Sequence, residues 1–367
     1  MKRLFCLIIC VLFLINTISV SAYNTSAKAA VVIDGYTGEI LYSQNCDERL
    51  PMASTTKIMS ALLMCELGGD LSTKIVTTRE MVTVEGSSMG LQVGDTVSYY
   101  DLLYGMMLAS GNDAANTTAI ALGGSVSKFV DMMNERASEM GLVNTHFVTP
   151  SGLDADDHYT TAYELAIIAK EALKNEEFLK AASSKSKRLC YGNPPYNRTL
   201  TNHNKLLKMY DDVIGVKTGF TKKAGRCLVS AAKKDGKFVI AVTLNDSNDW
   251  QDHRELLDLG LSLIESRVFS PPKDETLIRV TSGEKVKVIL PSANINVTDN
   301  SNVEYKINLP TFLYAPVKSQ QQIGSINYYC NGISVCELPI FATGNIEYNH
   351  NDFILLFELF KSILLNV

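Results

Sequence analysis

Two apolar runs at opposite ends of a helical middle constrain this chain most. The first, "KAAVVID" from Lys28, joins "GEILYS" through the turn Gly35-Tyr36-Thr37-Gly38 and predicts a β-hairpin. The second, "KFVIAVTL" from Lys237, follows the strand-like "DDVIGVKTGF" and "RCLVSAAK". Between them, Ile58, Ala61, Leu62 and Cys65 recur at helical spacing, and helical patterns continue over Tyr99–Leu108, Asp113–Leu122, Ser125–Met140 and Thr161–Leu173. Strands at both ends with helices between imply one α/β unit whose sheet is completed by the first and last parts of the segment. A further helix is predicted over Asp252–Ile264.

Pro271-Pro272 marks a boundary, because neither residue continues a helix or sits in a central strand. Beyond it "LIRV", "KVKVIL", "VEYKINL" and "FLYAPV" read as a small all-β domain. At the other end, Lys2 and Arg3 precede an apolar run closed by Val20-Ser21-Ala22, the pattern of a secretory signal peptide. The expected organisation is therefore a signal peptide (1–22), a main α/β domain (23–268), a β-rich domain (269–346) and an apolar terminal segment (347–367). In that last segment, about fifteen helical residues rise about 23 Å, short of the roughly 30 Å hydrocarbon core. Glu358, Lys361 and Ser362 form one narrow polar face, which favours a helix lying in a membrane interface over one docked on the protein's own core.

Export permits disulfides among the six cysteines left after cleavage, and only Cys330 and Cys336, flanking Asn331-Gly332, are placed to pair across a hairpin. Cys65 and Cys227 read as small core residues. No CxxC pair or histidine-rich cluster points to a zinc site, and a net charge of -5 gives no footprint for nucleic acid.

Chemistry is suggested by three short patterns. Ser54-x-x-Lys57 opens a helix, where N–H groups and the helix dipole favour negative charge on a serine oxygen. A spacing of three puts the lysine on the same face one turn later, and apolar surroundings disfavour its ammonium, leaving it able to take the Ser54 proton. The motif alone is cheap, since it recurs at Ser125, Ser184, Ser230, Ser270 and Ser282. Ser110-Gly111-Asn112 sits between two predicted helices, where a helix cap is the plainer explanation. Lys217-Thr218-Gly219 occurs once, in a predicted strand, and suits a substrate carboxylate beside a glycine that lets a ligand come close.

The order and spacing of all three carry the inference. The set resembles the penicillin-recognising serine enzymes, whose marks include Ser-x-x-Lys and Lys-Thr-Gly. "GLVNTHFVTPSGLDADDHYTTAYELA" and "TKKAGRCLVSAAKKDGK" are similar to the low-molecular-mass D-alanyl-D-alanine carboxypeptidases, over about Tyr23 to Ser266. The resemblance implies an α/β (α+β) DD-peptidase/β-lactamase-like domain, an antiparallel sheet flanked by helices, followed by a small all-β domain and a C-terminal amphipathic helix.

It also implies Ser54 as nucleophile, Lys57 as its base and Ser110 as proton relay. Asn112 holds a substrate amide, Lys217 and Thr218 of the Lys217-Thr218-Gly219 strand bind a terminal carboxylate, and the N–H groups of Ser54 and Phe220 form an oxyanion hole. No cofactor or metal is required. The implied partners are peptidoglycan stem peptides ending in D-Ala-D-Ala, β-lactams as covalent inhibitors, and a membrane surface under the C-terminal helix, at the outer face of the cytoplasmic membrane. His158 is expected to be structural. Many relatives carry an arginine after the last sheet strand, whereas "NDSNDWQDHR" offers Asp249 there. The rival readings are a β-lactamase, for which Glu164 is a candidate acid although its helical context reads as an exposed position, and a non-catalytic wall-binding protein.

Overall fold

The computed structural model describes residues 23–281 and 284–347. The expected signal peptide and all but the first residue of the expected interface helix lie outside the described residues.

The opening hairpin is β1 (Ala29–Asp34) and β2 (Ile40–Gln44). Two small antiparallel pairs follow in the middle of the chain, β3 (Lys74–Val76) with β4 (Thr96–Ser98) and β5 (Ser186–Gly192) with β6 (Pro195–Thr201). Then come β7 (Val213–Thr221), β8 (Gly225–Lys234) and β9 (Lys237–Leu244). The main sheet has five strands in the order β2-β1-β9-β8-β7, with every neighbour antiparallel. The first and last strands of the segment are thus adjacent, β1 against β9, as the two apolar runs require.

Those runs are apolar throughout because both faces of the sheet are covered. Ala29, Val31 and Ile33 join Ile240 and Val242 in the larger core under the helices. Ala30 and Val32 turn the other way, against Leu256, Leu257 and Leu261 of the helix Asp249–Leu263. Each fully buried Val, Leu or Ile side chain contributes roughly 1.5–3 kcal/mol to this packing. β7 is left at the edge, with its outer side facing the helical layer, and the site lies there.

The β-rich part has its own core, built on Ile278, Val286, Val288, Ile295, Ile326 and Ile340. Its strand Glu265–Phe269 pairs with Ala293–Val297, so pairing in this part begins ahead of Pro271-Pro272. Thr298 and Asn331 donate hydrogen bonds to the Glu39 carboxylate at 2.8 and 3.1 Å, which ties this part to the opening hairpin. Cys330 and Cys336 are both free. The hairpin register sets Cys330 opposite Ile333 and Cys336 opposite Tyr328, so the two thiols are not cross-strand partners.

Candidate active site

Ser54 lies in a 3-10 turn, Ala53–Thr56, and the α-helix proper starts at Lys57. The turn is tied by side chains: Thr55 Oγ1 donates to Met52 O at 2.6 Å and Thr56 Oγ1 to Ala53 O at 2.8 Å. In a 3-10 turn residues i and i+3 eclipse, which brings Ser54 and Lys57 into line. Ala53 holds φ at +50°, a conformation sustained only by surrounding structure. Two glycines make room for this turn. A Cβ on Gly152, itself at φ +87°, would lie 1.9 Å from Ala53 O, and one on Gly219 would lie 3.0 Å from Ser54 N.

Lys57 is buried, and its Nζ has three neighbours: Ser54 Oγ at 3.0 Å, Asn112 Oδ1 at 2.7 Å and Ser151 O at 2.6 Å. The last two can only accept. A neutral amine satisfies both with its two hydrogens, leaving its lone pair aimed at the Ser54 hydroxyl. Burial pushes the Lys57 pKa well below its ordinary value of 10.5, the nearby Lys217 charge pushes it the same way, and Asp113 opposes them.

Lys217, buried on β7, donates to Ser110 Oγ at 3.1 Å and to Thr218 O at 2.8 Å. Burial lowers its pKa to about 7. Ser110 also holds a positive φ, +55°, at the turn into the helix Asn112–Gly123. Asn112 Nδ2 donates to Glu85 O at 2.6 Å and its backbone N–H to Ser87 O at 2.7 Å, tying the helix start to the loop 85–91. Asp113 fixes that loop further, accepting from Ser88 Oγ and from the N–H groups of Met89, Gly90 and Leu91 at 2.5–3.0 Å.

Of the residues singled out in sequence, Ser54, Ser110, Thr218, Gly219 and Phe220 line one cleft of about 430 Å³. Lys57, Asn112 and Lys217 are buried and reach it through their contacts with Ser54 and Ser110. Five further residues line the cleft: Asp249, which the sequence places where many relatives carry an arginine, and Ser87, His203, Arg226 and Trp250, which no motif announced. Among the described residues no His, Cys, Asp and Glu cluster forms a metal site.

His158 accepts from Val148 N–H at Nδ1, so its Nε2–H faces Thr56 Oγ1 at 2.8 Å, which in turn bonds Ala53 O. Burial lowers its pKa to about 4, so it braces the serine turn as a neutral ring. Glu164 corrects the sequence reading. Its carboxylate is buried, not exposed, and both oxygens are taken by Asn144 N–H and the Thr145 hydroxyl. Helical periodicity placed it outward, but the loop at 144–145 folds over it. It is a loop anchor and does not line the Ser54 cleft.

An antiparallel sheet between helical layers, with a serine and two buried lysines converging at its edge strand, is the architecture of the penicillin-recognising serine enzymes. Similarity to known proteins defines the branch. Residues 16–248 match the family described as D-alanyl-D-alanine carboxypeptidase, and residues 272–348 match the C-terminal domain of penicillin-binding protein 5. The D-alanyl-D-alanine carboxypeptidase DacF of Bacillus subtilis is 33% identical over 339 residues, 88% of this chain and 86% of that protein. Two solved structures share the fold, each with a TM-score of 0.64. The carboxypeptidase DacD of Francisella tularensis is 27% identical, covering 89% of this chain and 95% of its own. The Streptomyces K15 DD-transpeptidase is 32% identical, covering 66% of this chain and all of its own (100%). The chain belongs to the D-alanyl-D-alanine carboxypeptidase family of serine hydrolases.

Proposed function

We propose that the cleft removes the terminal D-alanine from peptidoglycan stem pentapeptides through an acyl-enzyme on Ser54. The observation that carries this reading is the Lys57 amine, 3.0 Å from Ser54 Oγ with both other directions closed by carbonyl oxygens. Lys57 takes the serine proton as Oγ attacks the carbonyl carbon of the penultimate D-alanine. The C–N bond to the last residue breaks, and the proton reaches the leaving nitrogen through Ser110. Water then hydrolyses the ester, returning free serine and the shortened peptide. The N–H groups of Ser54 and Phe220 receive the oxyanion, and the position of β7 at the sheet edge supports this, since alternate outer N–H groups there have no sheet partner. Asn112 holds a substrate amide, and Lys217 with Thr218 receives the terminal carboxylate. A β-lactam acylates the same serine when its ring C–N bond opens, and the product persists for want of a well-served water.

The engagement of Glu164 favours this reading over a β-lactamase, because that carboxylate is committed elsewhere. Purified protein should release D-alanine from a stem pentapeptide and form a long-lived adduct with labelled penicillin. Rapid penicillin hydrolysis without D-alanine release would replace the carboxypeptidase reading with the lactamase one.

The wall is the expected place of action, on the outer face of the cytoplasmic membrane, held there by the apolar segment 347–367. No described helix is long and apolar enough to cross a membrane. Ending the chain at Asn351 should move the protein from the membrane to the soluble fraction, and an unchanged distribution would refute this anchor.

A further inference from the structure

The loop after β9 supplies no arginine, yet the structure brings one into the cleft from the neighbouring strand. Arg226 lies directly opposite Phe220 in the β7–β8 register, as Leu228 lies opposite Thr218. Opposed residues share a face and successive ones alternate, so Arg226 stands on the face that carries Thr218 and Phe220. Lys217 stands on the other face, opposite Val229 of the main core, with its ammonium directed at Ser110. The cleft therefore has cations on both sides of the Thr218 position, one buried and one half-exposed.

Asp249 fixes the guanidinium. Arg226 Nε donates to Asp249 Oδ2 at 3.1 Å and Nη2 lies 2.8 Å from Oδ1, a two-point pairing through one edge of the group. The acid is nearly buried, with 6% of its side chain exposed, whereas 44% of the arginine side chain remains accessible. Five N–H donors minus the two used leave Nη1 and one Nη2 hydrogen, for which no partner is found among the described residues. The Trp250 ring, with its centroid 5.8 Å from the guanidinium carbon, covers a further side. An arginine so held has already lost most of its rotamer freedom, and presents a planar pair of donors to an incoming anion at little further entropic cost.

We propose that Arg226, aimed by Asp249, is a specificity-determining residue that receives the free carboxylate of the ligand across Thr218 from Lys217. The assignment rests on the reading of this cleft as the acylation site. It makes Asp249 a positioning residue, and it puts recognition of a C-terminal carboxylate on two cations from adjacent strands.

The test pairs a change in the enzyme with a change in the ligand. Acylation rates of Ser54 by benzylpenicillin and by its methyl ester are measured by intact-protein mass spectrometry for the wild type, Arg226→Gln and Arg226→Lys. Release of D-alanine from a diacyl-Lys-D-Ala-D-Ala peptide, and of D-alaninamide from its C-terminal amide, is followed in parallel. Arg226→Gln should slow acylation by the free acid roughly 10- to 100-fold, the range for a charge-assisted hydrogen bond, and leave the ester almost unaffected. Arg226→Lys should restore only part, since an ammonium lacks the planar fork. Equal slowing of acid and ester, or an undiminished preference for the acid, would overturn the assignment. If wild-type protein is acylated by penicillin but trims no peptide, the carboxypeptidase reading falls while the two penicillins still decide the role of Arg226. If penicillin does not acylate it at all, both fall.

Discussion

Ser54→Ala protein is expected to form no covalent penicillin adduct and to release D-alanine on the order of 10⁴-fold more slowly or worse, because nothing else in the cleft combines the same elements. The prediction has a definite rival, since Ser110 is also 3.1 Å from a buried lysine, Lys217. The two pairs are not equivalent. The Lys57 amine has its other two directions occupied by carbonyl oxygens, and so points its lone pair at Ser54. Among the described residues Lys217 has only Thr218 O besides Ser110, with a direction left for a substrate anion. Ser54 also begins a helical segment beside Gly219, where the lack of a Cβ keeps its N–H within reach of the edge strand. Ser110→Ala should therefore keep the adduct on Ser54 and lose rate through the proton relay. Peptide mapping after penicillin labelling decides the matter, and an adduct on Ser110 in the Ser54→Ala protein would assign the nucleophile to the wrong pair.

The fold was legible where the chain buries both faces of a strand. Ala29 to Ile33 has no polar residue for either side of the sheet, and both sides prove to be packed. The helical stretches were legible from period alone. What escaped was structure whose cause lies far along the chain. The β5–β6 hairpin carries charged and polar residues on a half-exposed ribbon, and so lacks a clean alternation. Glu164 sits at an ordinary helical position, and only the fold of the loop at 144–145 buries it.

For the site, the three motifs located the side chains but not the contacts that set their chemistry. Ser151 O is a backbone atom, identical in every residue type, and its bond to Lys57 spans 94 positions. The Arg226–Asp249 pair likewise joins two different elements: the sequence marked Asp249 only as the residue standing in place of an arginine, and nothing in it linked that acid to Arg226. Asp113 left no trace, because an acid in the first turn of a helix simply suits the helix dipole, and its role in fixing the loop 85–91 depends on N–H groups that no sequence pattern displays.

The two lysines should make catalysis depend on pH from opposite directions. In the proposed mechanism acylation needs Lys57 without its proton and carboxylate binding needs Lys217 with one. Burial, then the Lys217 charge, holds Lys57 well below the ordinary lysine value, while burial brings Lys217 to about 7. In the free enzyme, kcat/KM should rise as Lys57 loses its proton and fall as Lys217 loses its own around pH 7, giving a bell. Once the substrate carboxylate sits beside Lys217, that negative charge raises the lysine pKa, so kcat should stay flat over the pH range where kcat/KM declines. Lys217→Arg keeps its charge and should remove the falling limb while leaving the rising one. Lys57→Met should lower acylation about 10⁴-fold, and Lys57→Arg should be no better, since a guanidinium never frees a lone pair at these pH values. Stopped-flow acylation of these variants across pH separates the roles. A Lys57→Met protein within tenfold of wild type would place the base elsewhere, and a bell unchanged by Lys217→Arg would show that the falling limb belongs to another group.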